Sequence, residues 1–149
     1  MKQVLISAGL LIVVAGFAPA QELPEAKGKK QVEAVCNACH EANVVFKYRT
    51  AKDNWQNTVD DMVSRGADAS KEDLAAIVDY LARCFGPEVN VNMAAADDLA
   101  KQLEISGEEA AAIVKYRKDN GDFKELASLA KVPGLDMKKL EPVKLRIVF

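Results

Sequence analysis

The first half of the chain has apolar residues at helical spacing. In residues 24–39, Val32, Val35, Cys36 and Cys39 recur three or four positions apart. This spacing predicts a helix with one apolar face. The segment ends in a group of chemically reactive side chains.

Two more helices are predicted before residue 88. One covers residues 51–64. The other begins at Ser70, a good N-terminal capping residue, and Gly86 and Pro87 end it. Their apolar faces consist of Trp55, Val59 and Met62 in the earlier helix and of Leu74, Ile77, Val78, Leu81 and Phe85 in the later one.

The second half of the chain contains an internal repeat with a period of 30 residues. Matching apolar pairs are Leu99 and Leu129, Ile105 and Leu135, Ala110 and Leu140, and Ile113 and Val143. Each copy has the pattern of helix, tight turn and helix, and Asn120-Gly121 supplies the turn between the copies. No segment alternates like a strand. We therefore predict an all-α fold with two lobes, residues 21–87 and residues 88–149.

Residues 1–20 have the pattern of a secretory signal peptide. Lys2 precedes an apolar run, and Ala18-Pro19-Ala20 offers small residues for cleavage. An uncleaved anchor is the alternative, although the apolar run is short for a membrane span. We predict export to the periplasm, an oxidising compartment. The remaining sequence has no segment apolar enough to span a membrane.

The charge balance disfavours a strong interaction with nucleic acid. The chain has 20 basic and 22 acidic side chains, a formal net charge of −2. Basic residues are not concentrated in either half, so neither half presents a field that attracts phosphates.

The sequence Cys36-Asn37-Ala38-Cys39-His40 allows three interpretations. A structural zinc site needs four ligands, but the only other cysteine is Cys84 and the chain has no second histidine. A thioredoxin-type redox pair belongs in a βαβ unit, which this chain does not show. The third interpretation is covalent attachment of haem (heme c). Each thiol can then bond one vinyl group, and the imidazole that follows can bind the iron.

Residues 24–87 resemble a small class I cytochrome c with one haem. The segments that match are "GKKQVEAVCNACH" and "SKEDLAAIVDYLARCFG". The resemblance implies that the helices containing these segments cross, with Gly28 allowing close approach to Tyr80. The family's proline after the haem motif is absent between His40 and Gly86. We therefore expect another backbone carbonyl to orient His40.

The resemblance also implies a sixth ligand and contacts for the haem propionates. Met62 lies where the family places its axial methionine, and the alternative is a core residue on the Trp55 face. Arg49 and Trp55 could donate to the propionates, or could be a solvated arginine and a core tryptophan. Cys84 is predicted to be a small buried hydrophobic residue rather than a disulfide partner.

Residues 89–149 resemble the helix-hairpin-helix domain of competence-type DNA-uptake proteins. The matching segments are "VNVNMAAADDLAKQL", "AAAIVKYRKDNGDFKELASLAKVPGL" and "KLRI". The resemblance implies that backbone amides in Gly-apolar-Gly turns bind a DNA phosphate, assisted by a basic residue. Here the first turn is Glu104-Ile105-Ser106, followed by Glu108 and Glu109. A carboxylate there is expected to satisfy those amides and repel phosphate.

The second turn is closer to the family pattern. Gly134-Leu135-Asp136 keeps one glycine, and Lys138 and Lys139 follow it, so this hairpin could contact a phosphate. The alternative is that the lysines lie on a solvated face. Pro142 is expected to kink the last helix. We interpret this lobe as a docking or structural module.

The resulting hypothesis is an exported, non-enzymatic electron carrier with one covalent haem. Its partner would be a redox protein, such as an exported dehydrogenase or a terminal oxidase. Two alternatives remain: a DNA-binding or DNA-uptake protein with an attached haem domain, and a ligand-binding haem protein with an open sixth position.

Overall fold

The computed structural model describes residues 21–149, so the predicted signal peptide at residues 1–20 lies outside the described part of the chain. The helices of the first half are α1 (Lys29–Cys36), a 3-10 helix (Ala42–Lys47), α2 (Lys52–Ser64) and α3 (Lys71–Phe85). The second half contains β1 (Val89–Asn90), α4 (Ala96–Leu103), α5 (Gly107–Asn120), a 3-10 helix (Leu126–Lys131), α6 (Met137–Leu140), a 3-10 helix (Glu141–Arg146) and β2 (Ile147–Val148).

The predicted all-α class is confirmed at the level of a predominantly helical chain. The short strands β1 and β2 were not predicted. They pair in parallel, with Val89 opposite Ile147 and Asn90 opposite Val148. No helix within residues 21–149 combines the length and apolar character needed to cross a membrane.

Buried apolar side chains form two separate cores. The first core consists of Leu23, Val32, Ala42, Val45, Trp55, Val59, Ile77, Val78, Tyr80, Leu81, Cys84 and Phe85. The second core consists of Val89, Val91, Leu99, Leu103, Ile105, Ala110, Ile113, Phe123, Leu129, Val132, Leu140, Val143 and Ile147. Cys84 is buried and free, as the sequence suggested.

The first core is built on a tight contact between α1 and α3. Gly28 precedes α1 with a φ of 102°. A Cβ atom added at Gly28 would lie 2.5 Å from the Ala76 carbonyl oxygen and 2.8 Å from the Tyr80 Cβ. The Tyr80 hydroxyl donates to the Pro24 carbonyl at 2.9 Å. The predicted close approach of Gly28 to Tyr80 is therefore confirmed, and α1 begins later than predicted because Gly28 has a left-handed backbone conformation.

The other two helices of the first half follow the prediction closely. The Ser70 hydroxyl accepts from the Asp73 amide at 3.0 Å, so Ser70 caps α3 as expected. Helix α2 ends at Ser64, just before Gly66 with a φ of 104°. Trp55 and Val59 face the core from α2.

The two copies of the repeat differ in regularity. Helices α4 and α5 form the first hairpin, with Glu104 in the left-handed region at a φ of 55°. The second copy is shorter and largely 3-10. The α-helical turns end at Leu140, and Pro142 lies in the first turn of the 3-10 helix that follows, where its missing amide costs no hydrogen bond.

The C-terminal segment of the chain packs against the first half. Leu145 packs against the first core. The Arg146 guanidinium is buried and donates to the Pro87 carbonyl at 2.9 Å and to the Arg83 carbonyl at 3.1 Å. The Arg83 carbonyl belongs to the last turn of α3, where helical carbonyls lack intrahelical partners. Arg146 therefore caps α3 from the other lobe.

Candidate cofactor site and hairpin pair

Cys36, Cys39 and His40 lie together at the C-terminal end of α1. Cys36 is the last residue of the helix, and the amides of Cys39 and His40 donate to its carbonyl at 3.5 and 3.3 Å. Both thiols are free; Cys36 is half-buried, and Cys39 and His40 are exposed. Burial raises the pKa of the Cys36 thiol above its ordinary value. The turn presents two thiols and one imidazole at the molecular surface.

The imidazole of His40 has one ring nitrogen engaged and one available. His40 Nδ1 lies 3.1 Å from the Glu41 carbonyl oxygen. With the proton on Nδ1 this contact is a hydrogen bond, and the lone pair of Nε2 is then available to a metal. The Glu41 carbonyl is therefore the candidate for the backbone carbonyl that we expect to orient His40.

A surface depression begins three residues after His40. It is open to solvent and has a volume of about 520 Å³. The residues that line it are Gln21, Asn43, Val44, Phe46 and Lys47. The 3-10 helix that follows the cysteine motif therefore lines this depression with both apolar and polar side chains.

Met62 lies near the C-terminal end of α2. Trp55 and Val59 are buried in the first core, whereas Met62 is half-buried and its neighbour Val63 is exposed. The side chain of Met62 is thus not one of the buried core residues. Its role as an iron ligand stays a prediction.

Arg49 and Trp55 use their donors within the protein. Trp55 Nε1 donates to the Phe85 carbonyl at 3.1 Å, which satisfies an otherwise buried indole. Arg49 donates to the Leu145 carbonyl at 3.1 Å and to the Tyr48 carbonyl at 2.7 Å. The Trp55 indole donor is thus engaged, whereas the Arg49 hydrogen bonds use its Nε and Nη1 atoms. The propionate contacts of both residues stay a prediction.

The donor set fits a covalently attached haem better than a metal ion held by protein ligands alone. Within residues 21–149, no group of three or more His, Cys, Asp or Glu side chains is arranged to hold a metal ion. The chain offers one histidine with a free nitrogen and two unpaired thiols at one turn. Thioether attachment uses both thiols and needs only His40 as a ligand on that side of the iron.

In the second lobe, one buried carboxylate joins the two hairpin turns. Glu109 accepts from the Ser106 amide at 2.8 Å, from the Asp136 amide at 3.2 Å and from Lys139 Nζ at 2.8 Å. The ammonium group of Lys139, followed by the Ser106 amide, lowers the pKa of Glu109 to about 2. The expectation that a carboxylate would satisfy amides of the first turn is confirmed.

Other side chains satisfy further amides of the same turns. Ser106 Oγ accepts from the Glu109 amide at 3.1 Å, which completes a capping box. The Asp136 carboxylate accepts from the Lys138 amide at 3.0 Å. Sequence reasoning missed the contact from Glu109 to the second turn. The available signal was that Glu109 and Lys139 are opposite charges at equivalent positions of the repeat.

Comparison with known proteins bears on the second lobe. Residues 86–148 match the family of the helix-hairpin-helix motif. The chain is also 36% identical over 63 residues to an uncharacterized protein of Haemophilus influenzae, which is 42% of this chain and 56% of that protein. The chain thus spans about half of that relative's length. No solved structure matches the chain at comparable significance.

Proposed function

Residues 86–148 match the helix-hairpin-helix motif. We propose that the chain containing them is an exported c-type cytochrome that carries single electrons. The observation that carries the proposal is the arrangement of Cys36, Cys39 and His40 at the end of α1. The first lobe would hold one covalent haem, and the second would dock a partner or stabilise the first.

The proposed site assigns a task to each side chain. The thiols of Cys36 and Cys39 would anchor the porphyrin, and His40 Nε2 would bind the iron while the Glu41 carbonyl holds the imidazole ring. Met62 would offer the iron a thioether, a soft donor that favours the reduced metal. A bound haem supplies an iron that alternates between its ferric and ferrous states.

The proposal requires no substrate chemistry and is not that of an enzyme. One-electron transfer needs no general acid or base, and the single histidine is used as a ligand. Cys39 and His40 are exposed, so a redox partner protein could approach this side. The periplasmic location rests on the sequence of residues 1–20 alone.

Visible spectroscopy of the protein produced with periplasmic haem-maturation machinery tests this proposal. We expect covalent haem in the wild type and none in Cys36→Ala/Cys39→Ala. A weak far-red band of sulfur-ligated ferric haem should be present in the wild type and lost in Met62→Leu. Met93→Leu is the matched control, because Met93 lies in the other lobe and is 80% exposed. A wild-type chain that acquires no covalent haem contradicts the proposal.

The same spectra separate two types of haem protein. High-spin haem that binds carbon monoxide readily in the wild type would contradict ligation by Met62. It would favour the alternative of a ligand-binding haem protein with an open sixth position.

The second candidate function is DNA binding or DNA uptake, and the helix-hairpin-helix match favours it over electron transfer. Lys138 and Lys139 beside the second turn provide the basic residues. The acidic excess of the chain and the carboxylate of Glu109 oppose it. Tight binding of double-stranded DNA by the wild type, weakening steeply as salt rises, would establish this function.

A further inference from the structure

The two hairpin turns place equivalent backbone amides around one side chain. Ser106 and Asp136 are 30 residues apart, the period of the repeat, and Glu109 accepts from both amides. Glu109 and Lys139 are also 30 residues apart, and they form an ion pair at 2.8 Å. The repeat thus brings two turn amides and one lysine to a single acidic group.

This arrangement satisfies the donors that an anion would need. Turn amides at helix N-termini bind phosphates because several N–H groups and the helix dipole converge on one negative charge. Here the Glu109 carboxylate supplies that charge, and its side chain is only 8% exposed. A phosphate at the same donors would also face repulsion from the carboxylate.

Lys139 is exposed on the surface, and its charge is engaged by the same contact. Its ammonium group pairs with Glu109, which raises the pKa of Lys139. A lysine near a hairpin would normally attract a phosphate as a point charge. In this domain its charge is offset by a carboxylate of the same chain.

We infer that the Glu109 carboxylate occupies the donors of the hairpin pair and so prevents them from binding a phosphate of the DNA backbone. The same carboxylate holds the two hairpins together, and its removal would let these donors bind phosphate. This inference concerns the second lobe and does not depend on haem attachment.

Fluorescence anisotropy with a short labelled DNA duplex and the full-length protein tests the inference. Measurements at about 50 mM and about 200 mM salt give the electrostatic part of binding. The variants are Glu109→Ala, which frees the amides and Lys139, and Glu109→Gln, which removes the charge and keeps an acceptor. The control is Glu108→Ala, because Glu108 is exposed and its loss changes the net charge equally.

We expect Glu109→Ala to bind DNA about tenfold more tightly than Glu108→Ala at the lower salt concentration, with a steeper loss as salt rises. Glu109→Gln should gain less, because its amide oxygen still accepts from the turns. Adding Lys139→Ala to Glu109→Ala should remove most of the gain.

Two results would overturn the inference. One is equal affinity of the Glu109 variants and Glu108→Ala. The other is strong, salt-dependent binding by the wild type that Glu109→Gln leaves unchanged. Far-ultraviolet circular dichroism establishes that each variant is folded, and Glu109→Gln carries the test if Glu109→Ala does not fold. The haem spectrum reports separately on the first lobe, so the two proposals fail independently.

Discussion

Glu109 and Lys139 occupy equivalent positions in two copies of a repeat, and the Glu109 carboxylate meets the Lys139 ammonium at 2.8 Å. The two copies carry opposite charges at this position. An acidic residue and a basic residue therefore hold the two hairpins together, where two lysines would repel each other.

The Glu109 contact predicts a specific dependence of stability on pH. Its pKa in the folded protein is about 2, below the ordinary value of 4.5. Its stabilisation is therefore fully present above about pH 4.5 and is lost as the pH falls through about 2. We expect Glu109→Gln to be less stable than the wild type by about 1–2 kcal/mol at pH 7. Thermal melts at pH 7, 4 and 2 should show this difference shrinking; a constant difference would contradict it.

Alanine substitutions at Gly28 and Gly66 distinguish the cost of backbone strain from the cost of a steric clash. Both have positive φ, 102° and 104°, but a Cβ at Gly66 meets nothing within 4 Å. We expect Gly66→Ala to cost about 1 kcal/mol, the strain alone. Gly28→Ala should cost roughly 3 kcal/mol or more, because α1 must move away from α3. Urea unfolding measures both free energies, and equal costs would contradict the tight helix contact.

Arg146 is predicted to stabilise both lobes together. Arg146→Ala leaves the Arg83 and Pro87 carbonyls without their donor, and we expect a loss of roughly 2–4 kcal/mol. Lys144→Ala is the control, since Lys144 is exposed and forms a surface ion pair with Glu141, and it should cost less than about 1 kcal/mol. Thermal unfolding followed by circular dichroism compares them. Equal shifts in the melting temperature would contradict this role.

The hydrogen bond of Trp55 gives a prediction for the first core. Trp55→Phe removes one of two donors to the Phe85 carbonyl, the other being the Thr50 amide, and leaves space in the core, so we expect a loss of roughly 2–3 kcal/mol. Tyr48→Phe should change stability by less than about 0.5 kcal/mol, because Tyr48 is 54% exposed. Denaturant unfolding of the haem-free protein tests this. A Trp55→Phe variant as stable as the wild type would contradict a structural role for this hydrogen bond.

Local signals in the sequence predicted the regular elements well. The Ser70 cap and the apolar stripe of α3 are properties of neighbouring residues, so they can be recognised without the fold. The later start of α1 depends on Gly28, whose left-handed φ is set by the approach of Tyr80. The second copy of the repeat has a shorter α-helix than the first, because most of its residues adopt 3-10 turns, which the spacing of apolar residues did not indicate.

The contacts between distant segments could not be predicted from spacing. Arg146 was part of the resemblance in "KLRI", yet nothing local indicated that it would cap α3. The effect of Glu109 on the first turn follows from its position in the capping box. Its contact with Asp136 depends on how the hairpins pack. The placement of Arg49 against Leu145 likewise needs both lobes.

The parallel pairing of Val89 with Ile147 has a consequence for biosynthesis. Residues 145–148 follow in sequence the segments they contact, so they leave a ribosome or an export channel after those segments. Until they arrive, the first core lacks the packing of Leu145 and the end of α3 lacks the Arg146 cap. We expect the first lobe to stay loosely packed until a contact spanning more than fifty residues closes, wherever the chain folds.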